Sequence, residues 1–199
     1  LPVMSIVIGR VSIASLILVP WLIWRGMRLP RDAAIWRAFL VMVLFNNVLP
    51  FCLIVWGQGH ISSGQAAILN ATSPIFTVIV AHLLTEDERM TPARLVGVLL
   101  GFAGVAVMVG GGLTDDSGTT LAAYCALLGA SLSYGYAFVF GRRFRNLGVA
   151  PMTTAAGQLV SSSLLLLPLW LMLDQPWQMA PPGMATVLAV LGLASISTA

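Results

Sequence analysis

The chain has 199 residues, of which 58% are hydrophobic and only 9% charged, with a mean hydropathy of +0.94. A water-soluble domain carries about 25% charged residues, so a surface that faces water on all sides is excluded. The formal charge of +3 rests on ten basic residues, all of them arginine, and nine of these sit in a few short loops, which points to membrane topology rather than to nucleic acid.

Uncharged runs of about 20 residues match a bilayer core of about 30 Å, and short alternating segments of a β-barrel are not seen. The fold class is an all-α polytopic membrane protein. Spans are predicted at roughly 3–24, 36–56, 62–84, 93–112, 121–141 and 152–173, with a broken seventh from 184.

The first span contains VIGRVSIASL, which buries Arg10 in an apolar run. At 1.5 Å per residue Arg10 stands about 5 Å from the middle of its span, where a charge costs roughly 2.5–3.5 kcal/mol on insertion scales and must face protein or water. All seven Asp and Glu fall in loops. The partner of Arg10 is then a backbone carbonyl at a broken helix, a group on a further helix, or an anionic substrate; snorkelling to the outer surface is a fourth option.

The second and third spans share a pattern. Asn46 lies four residues before Pro50, and Asn70 four before Pro74. A proline has no N–H for the carbonyl four residues back, so the carbonyls of Asn46 and Asn70 are expected to be freed near mid-membrane, where such groups need partners or line a cavity. Asn47 joins the candidates beside Asn46. Asn70, Ser73 and Thr77 fall at i, i+3 and i+7 on one face; the alternative is that the hydroxyls bond back to their own helix.

The fourth span carries Gly97, Gly101 and Gly104, read as packing. The fifth has a stripe of small residues (Ala123, Ala126, Ala130, Ser133, Ala137 and Gly141) and, beside it, Tyr124, Ser131, Tyr134 and Phe138. Ser131 and Tyr134 are candidates for lining a cavity. Cys52 and Cys125 are read as packing residues, and His60 and His82 lie near opposite span ends, so neither pair suggests a metal site. No cofactor is expected. Absence of HExxH, of an in-span Asp pair and of a Ser/His arrangement argues against an enzyme.

Counting charge by loop, nine arginines (25, 28, 31, 37, 89, 94, 142, 143 and 145) fall on alternate loops. The positive-inside rule assigns those loops to the cytoplasm of a multi-pass protein in the cell (inner) membrane.

A shift of 148 residues places Gly9-Arg10 on Gly157-Gln158, Ser15 on Ser163 and Pro20 on Pro168. The period contains five spans, an odd number, so the two copies cross the membrane in opposite directions. The expected organisation is one integral-membrane domain: residues 1–112 are a first repeat lacking its first helix (four spans), and 113–199 a truncated second repeat (two spans plus a partial third). Completing the period gives about ten helices and about 290 residues, of which about seven helices are represented.

The segment AILNATSPIFTVIVAHLLTEDERMTPARLVGVLLGFAGVAVMVGGG resembles the EamA family of the drug/metabolite transporter superfamily. The resemblance rests on mid-helix Pro74, on Glu88 at a helix end and on Gly97, Gly101 and Gly104, with Arg10 and the repeat in keeping. It implies ten helices in two inverted repeats. It further implies a secondary transporter for export or uptake of small organic metabolites, often amino acids or related compounds, with alternating access and export as the expected mode. The partners are then a small-molecule substrate and the lipid bilayer, and a homodimer is compatible. The alternative is a non-transporting scaffold or assembly subunit.

Overall fold

The computed structural model describes residues 3–86, 88–112, 117–174, 184 and 192; the expected seventh span, from 184, lies almost wholly outside them. Every regular element among the described residues is helical: α1 (Val3–Trp24), α2 (Ala33–Val43), a π-helical segment (Leu44–Val48), α3 (Leu49–Gln58), α4 (Ser63–Asn70), α5 (Ser73–Leu84), α6 (Pro92–Gly112), α7 (Ser117–Gly141), the short α8 (Arg143–Asn146) and α9 (Pro151–Leu173). They supply six stretches long and apolar enough to cross a membrane: Ser5–Trp24, Ala33–Gln58, Ser63–Leu84, Pro92–Gly110, Gly118–Asn146 and Pro151–Met172. The protein is a polytopic helical membrane protein.

The chain divides into two compact units, one built from Leu1–Val43 and Phe144–Ala199 and the other from Leu44–Arg143. In the first unit α9 packs along both α1 and α2. Its direction relative to α1 is fixed at one end, where Asp174 Oδ2 accepts from the backbone N–H of Ser5 at 2.8 Å and from its hydroxyl at 2.6 Å. The indole N–H of Trp170 donates to the same hydroxyl at 2.8 Å. The start of α1 therefore meets the end of α9, and the two helices are antiparallel. The Asp174 carboxylate satisfies one of the N–H groups that any helix start leaves free and sits at the positive end of the α1 dipole. Val11, Ala14, Leu18 and Leu22 of α1 and Ala156 and Leu166 of α9 are among the buried residues. Against α9, Phe39 of α2 lies over Gly157 so closely that a Cβ there would overlap its ring. Phe39 also stacks on Phe144, with centroids 4.8 Å apart. Gly26 after α1 has φ +75° and Gly148 after α8 has φ +70°. At each, the glycine N–H and the next one fold back onto the last turn: Gly26 N to Ile23 O and Met27 N to Leu22 O, Gly148 N to Arg145 O and Val149 N to Phe144 O. This is the left-handed helix stop that favours glycine.

In the second unit α7 is the central helix, packed on α3, α4 and α5. Its small stripe works as the sequence suggests: Ala123, Ala130 and Ala137 are buried. The tightest approach is at Gly135, where a Cβ would stand 2.8 Å from the backbone nitrogen of Thr77 and 2.9 Å from the carbonyl carbon of Phe76. A core of Ala66, Leu69, Val105, Tyr124 and Leu127 joins α4, α6 and α7. The glycines of α6 behave differently from one another. Gly101 is covered by Ile75, whereas Gly97 and Gly104 have no neighbour near their Cα among the described residues. Cys52 and Cys125, read from the sequence as packing residues, are exposed; on membrane helices such positions are free to face lipid.

Candidate functional site

The second unit holds both proline breaks, and a hydroxyl of α7 reaches each of them. At Pro50 the helix passes through the π segment Leu44–Val48, where bonds span five residues instead of four. In that register the carbonyl that Pro50 fails to serve belongs to Phe45, one position earlier than the Asn46 carbonyl expected from ordinary α spacing. Ser133 Oγ donates to Phe45 O at 2.7 Å. The side chains of Asn46 and Asn47 are half-buried beside it.

At Pro74 the helix stops at Asn70 and restarts at Ser73. The Asn70 carbonyl, expected to be freed, takes a hydroxyl, and so does its neighbour Leu69 O, which also accepts the backbone N–H of Thr72 at 3.1 Å. Thr72 Oγ1 donates to Leu69 O at 2.6 Å and Ser73 Oγ to Asn70 O at 2.6 Å. From α7, Ser131 Oγ donates to Leu69 O at 2.9 Å, with a longer contact of 3.5 Å to Asn70 O. Ser131 is 0% exposed, and the Asn70 side chain is exposed. Thr77 Oγ1 bonds back to Ser73 O at 2.9 Å, so Ser73 and Thr77 follow the back-bonding alternative.

Beside the Pro50 break, between the π kink, α5 and α7, lies a crevice of about 370 Å³, apolar and without a charged side chain in its lining. Phe45 and Leu49 come from the π kink, Val80 and Leu83 from α5, and Ser133 and Tyr136 from α7. The rings of Phe45 and Tyr136 meet at 4.6 Å with 52° between planes. None of the eight polar residues singled out from the sequence lines it. Ser131, Asn70 and Ser73 converge at the Pro74 break; Tyr134 is half-buried on α7 outside the crevice lining. Phe45, Ser133 and Tyr136 were missed. A signal for part of this set exists: Gly129, Leu132, Ser133 and Tyr136 fall at i, i+3, i+4 and i+7, one face of α7.

Arg10 belongs to the first unit. It is half-buried, its Nε is buried without a hydrogen-bond partner, and the same holds for Nε2 of Gln158 and Oγ of Ser161 on α9. Asp174 is engaged with Ser5, and Arg10 makes no ion pair among the described residues. Pro20 and Pro168 each lie inside their helix.

In the loop before α6, Glu88 pairs with Arg142, at the end of α7, at 2.7 Å. That hydrogen bond holds the Glu88 carboxyl below the usual carboxylate range; partial desolvation opposes it, and the charges of Arg142 and Arg94 add to it. His82 Nδ1 accepts from Met90 N–H at 3.1 Å, and His60 Nδ1 lies 2.9 Å from Trp56 O, so both histidines serve helix ends. No cluster of three metal-ligating side chains occurs among the described residues.

Comparison with known proteins bears on what such an arrangement does. The EamA-like transporter family matches residues 1–110. The chain is 30% identical over 158 residues to the uncharacterized inner membrane transporter YedA of Escherichia coli K12, covering 79% of this chain and 50% of that protein. It is 31% identical over 145 residues to the probable terminal-alkyne amino-acid exporter of Streptantibioticus cattleyicolor, covering 71% and 46%. It is 24% identical over 117 residues to the uncharacterized transporter YoaV of Bacillus subtilis, covering 58% and 40%. The chain thus spans about half the length of the curated relatives it matches. No solved structure matches it significantly.

Proposed function

The chain belongs to the EamA-like transporter family, and on that premise we propose that the intact protein is a permease moving a small organic metabolite, an amino acid or a related compound, out of the cell by alternating access. The observation that carries this reading is the pair of broken spans around an apolar crevice, each break held by one hydroxyl of α7. Broken helices near mid-membrane are where transporters place their sites, and a crevice with two aromatic rings suits the apolar part of an amphipathic solute.

The first unit supports the inverted repeat. Arg10 and its repeat mate Gln158 each lie a few residues before the middle of their span. Because α1 and α9 are antiparallel, the two residues fall on opposite sides of half depth, each roughly 5–7 Å from it. This is the relation that a two-fold axis in the membrane plane produces. The repeats run in sequence, 1–112 and 113–199, whereas the compact units are discontinuous and divide elsewhere; duplication and packing need not share a boundary. Arg10 supplies positive potential that draws in an anionic or zwitterionic solute, and the arginine-rich loops face the cytoplasm. A scaffold would have no use for buried polar atoms left unpaired inside its spans.

The test is counterflow of a labelled amino-acid panel by the full-length protein in proteoliposomes. Exchange of at least one member above protein-free vesicles is expected. A folded, reconstituted protein that exchanges none rejects the reading.

A further inference from the structure

We propose that Gln158 and Ser161 of α9 form a subsite that takes a carboxylate or carbonyl oxygen of the transported solute, an assignment that rests on the permease reading above. Both side chains end in a buried polar atom without a hydrogen-bond partner, and Ser161 is 1% exposed. Three residues apart on a helix, they are neighbours on one face, about 5–6 Å between Cβ atoms. The α9 stretch able to cross the membrane runs Pro151–Met172. Ser161 is therefore at half depth, with Gln158 about 5 Å from it at 1.5 Å per residue.

A serine inside a membrane helix has an easy refuge, the carbonyl one turn back. Two neighbours on the same helix use it: Ser163 Oγ donates to Leu159 O at 2.8 Å, and Thr154 Oγ1 to Ala150 O at 3.2 Å. Ser161 does not. An unserved hydroxyl and an unserved amide N–H2 side by side, both away from lipid headgroups, carry the cost of two desolvated polar groups. What they lack in common is an acceptor. That selects an oxygen-bearing group, neutral or anionic, and selects against an ammonium, which is itself a donor. Arg10, on α1 and at another level, is a separate unmet donor. The competing occupant is an acceptor on a further helix of the complete protein, and the test separates the two.

The full-length protein and its Ser161→Ala and Gln158→Met variants are compared by two readouts. Both substitutions keep the volume close and remove the donor. The first readout is thermal unfolding without solute. Removing an unpaired buried donor raises Tm, whereas removing one already served by another helix lowers it. The second is inhibition of amino-acid exchange by three competitors: the acid transported best in the panel, its amide, and the decarboxylated amine. Wild type should bind the acid and the amide and take the amine at least about tenfold more weakly, the loss expected when a buried hydrogen bond to a solute oxygen goes missing. In the variants KM for the acid should rise about tenfold, and the gap to the amine should close to within about threefold. Variants with lowered Tm and wild-type KM, or with the full acid-to-amine gap retained, overturn the subsite while leaving the permease reading intact. A wild type that exchanges no member of the panel removes the permease reading, and the subsite with it.

Discussion

Replacing Ser133 with alanine removes one hydroxyl and leaves the carbonyl of Phe45, which Pro50 cannot serve, without its donor at 2.7 Å. The Ser133 side chain is buried, so water does not take over. An orphaned buried acceptor costs about 1–3 kcal/mol, while interhelical bonds in membranes average about 0.6 kcal/mol with a maximum near 1.7. The expected loss is about 1–2 kcal/mol, roughly a 5- to 30-fold fall in the folded-to-unfolded ratio. The assay is reversible unfolding of the full-length protein in mixed micelles, run as a double-mutant cycle with Pro50→Ala. Alanine at 50 restores a backbone N–H, which relieves the need for Ser133. The Ser133→Ala cost should then shrink by at least about 0.5 kcal/mol, the threshold at which coupled residues are distinguished from independent ones. Equal costs in both backgrounds would refute the idea that the serine stands in for the proline's missing donor.

Ser131→Ala should cost less than Ser133→Ala in the same assay, below about 1 kcal/mol, because Leu69 O keeps the Thr72 hydroxyl at 2.6 Å; a larger cost than at Ser133 contradicts this. Gly135→Ala should destabilise by about 1–3 kcal/mol, since its Cβ would press on the Thr77 and Phe76 backbone at 2.8–2.9 Å, while Gly129→Ala, 3.6 Å from Leu53 Cδ1, should be near neutral. Glu88 is held below its ordinary pKa by Arg142. The stability it contributes is present above the unfolded carboxylate value of about 4.3 and is lost as pH falls through the lower folded value. A pH titration of unfolding should show wild type converging on Glu88→Gln in that acid window and separating from it above; parallel curves throughout exclude the pair as a contributor. Arg10→Ala should reduce exchange of anionic or zwitterionic solutes with membrane insertion unchanged, and equal exchange at matched expression would free Arg10 of a role in recognition.

The spans were legible because a stretch that crosses lipid must be long, apolar and nearly free of charge, and that constraint is written residue by residue. The Pro74 break was legible for a similar reason: a missing N–H is a local fact, and Asn70 and Ser73 stand where the arithmetic puts them. The Pro50 break was displaced by one residue because the local helix type is not local information. Whether four or five residues separate donor and acceptor depends on what α7 offers across the interface, and Ser133 answers to Phe45. The same limit hid the crevice. Ser133 read as one member of a small-residue stripe, and Tyr136 was not singled out, because only the packing of α3 and α5 on α7 decides which side of α7 is left open. Ser161 offered no signal at all: three consecutive serines look alike until their carbonyl partners are known.

The clasp between Ser5 and Asp174 joins positions 169 residues apart in sequence. A ribosome makes α1 and α2 long before it makes the helix they pack on. From the end of α2 at Val43 to the end of α9 at Leu173 the wait is roughly 6–25 s at about 5–20 residues per second. During that interval two newly inserted helices, the first with Arg10 deep in its span, sit in the bilayer without their final neighbour. The packing of α1 and α2 is thus completed only after α9 arrives, and their survival until then falls to the insertion machinery and to the proteases that patrol unassembled helices.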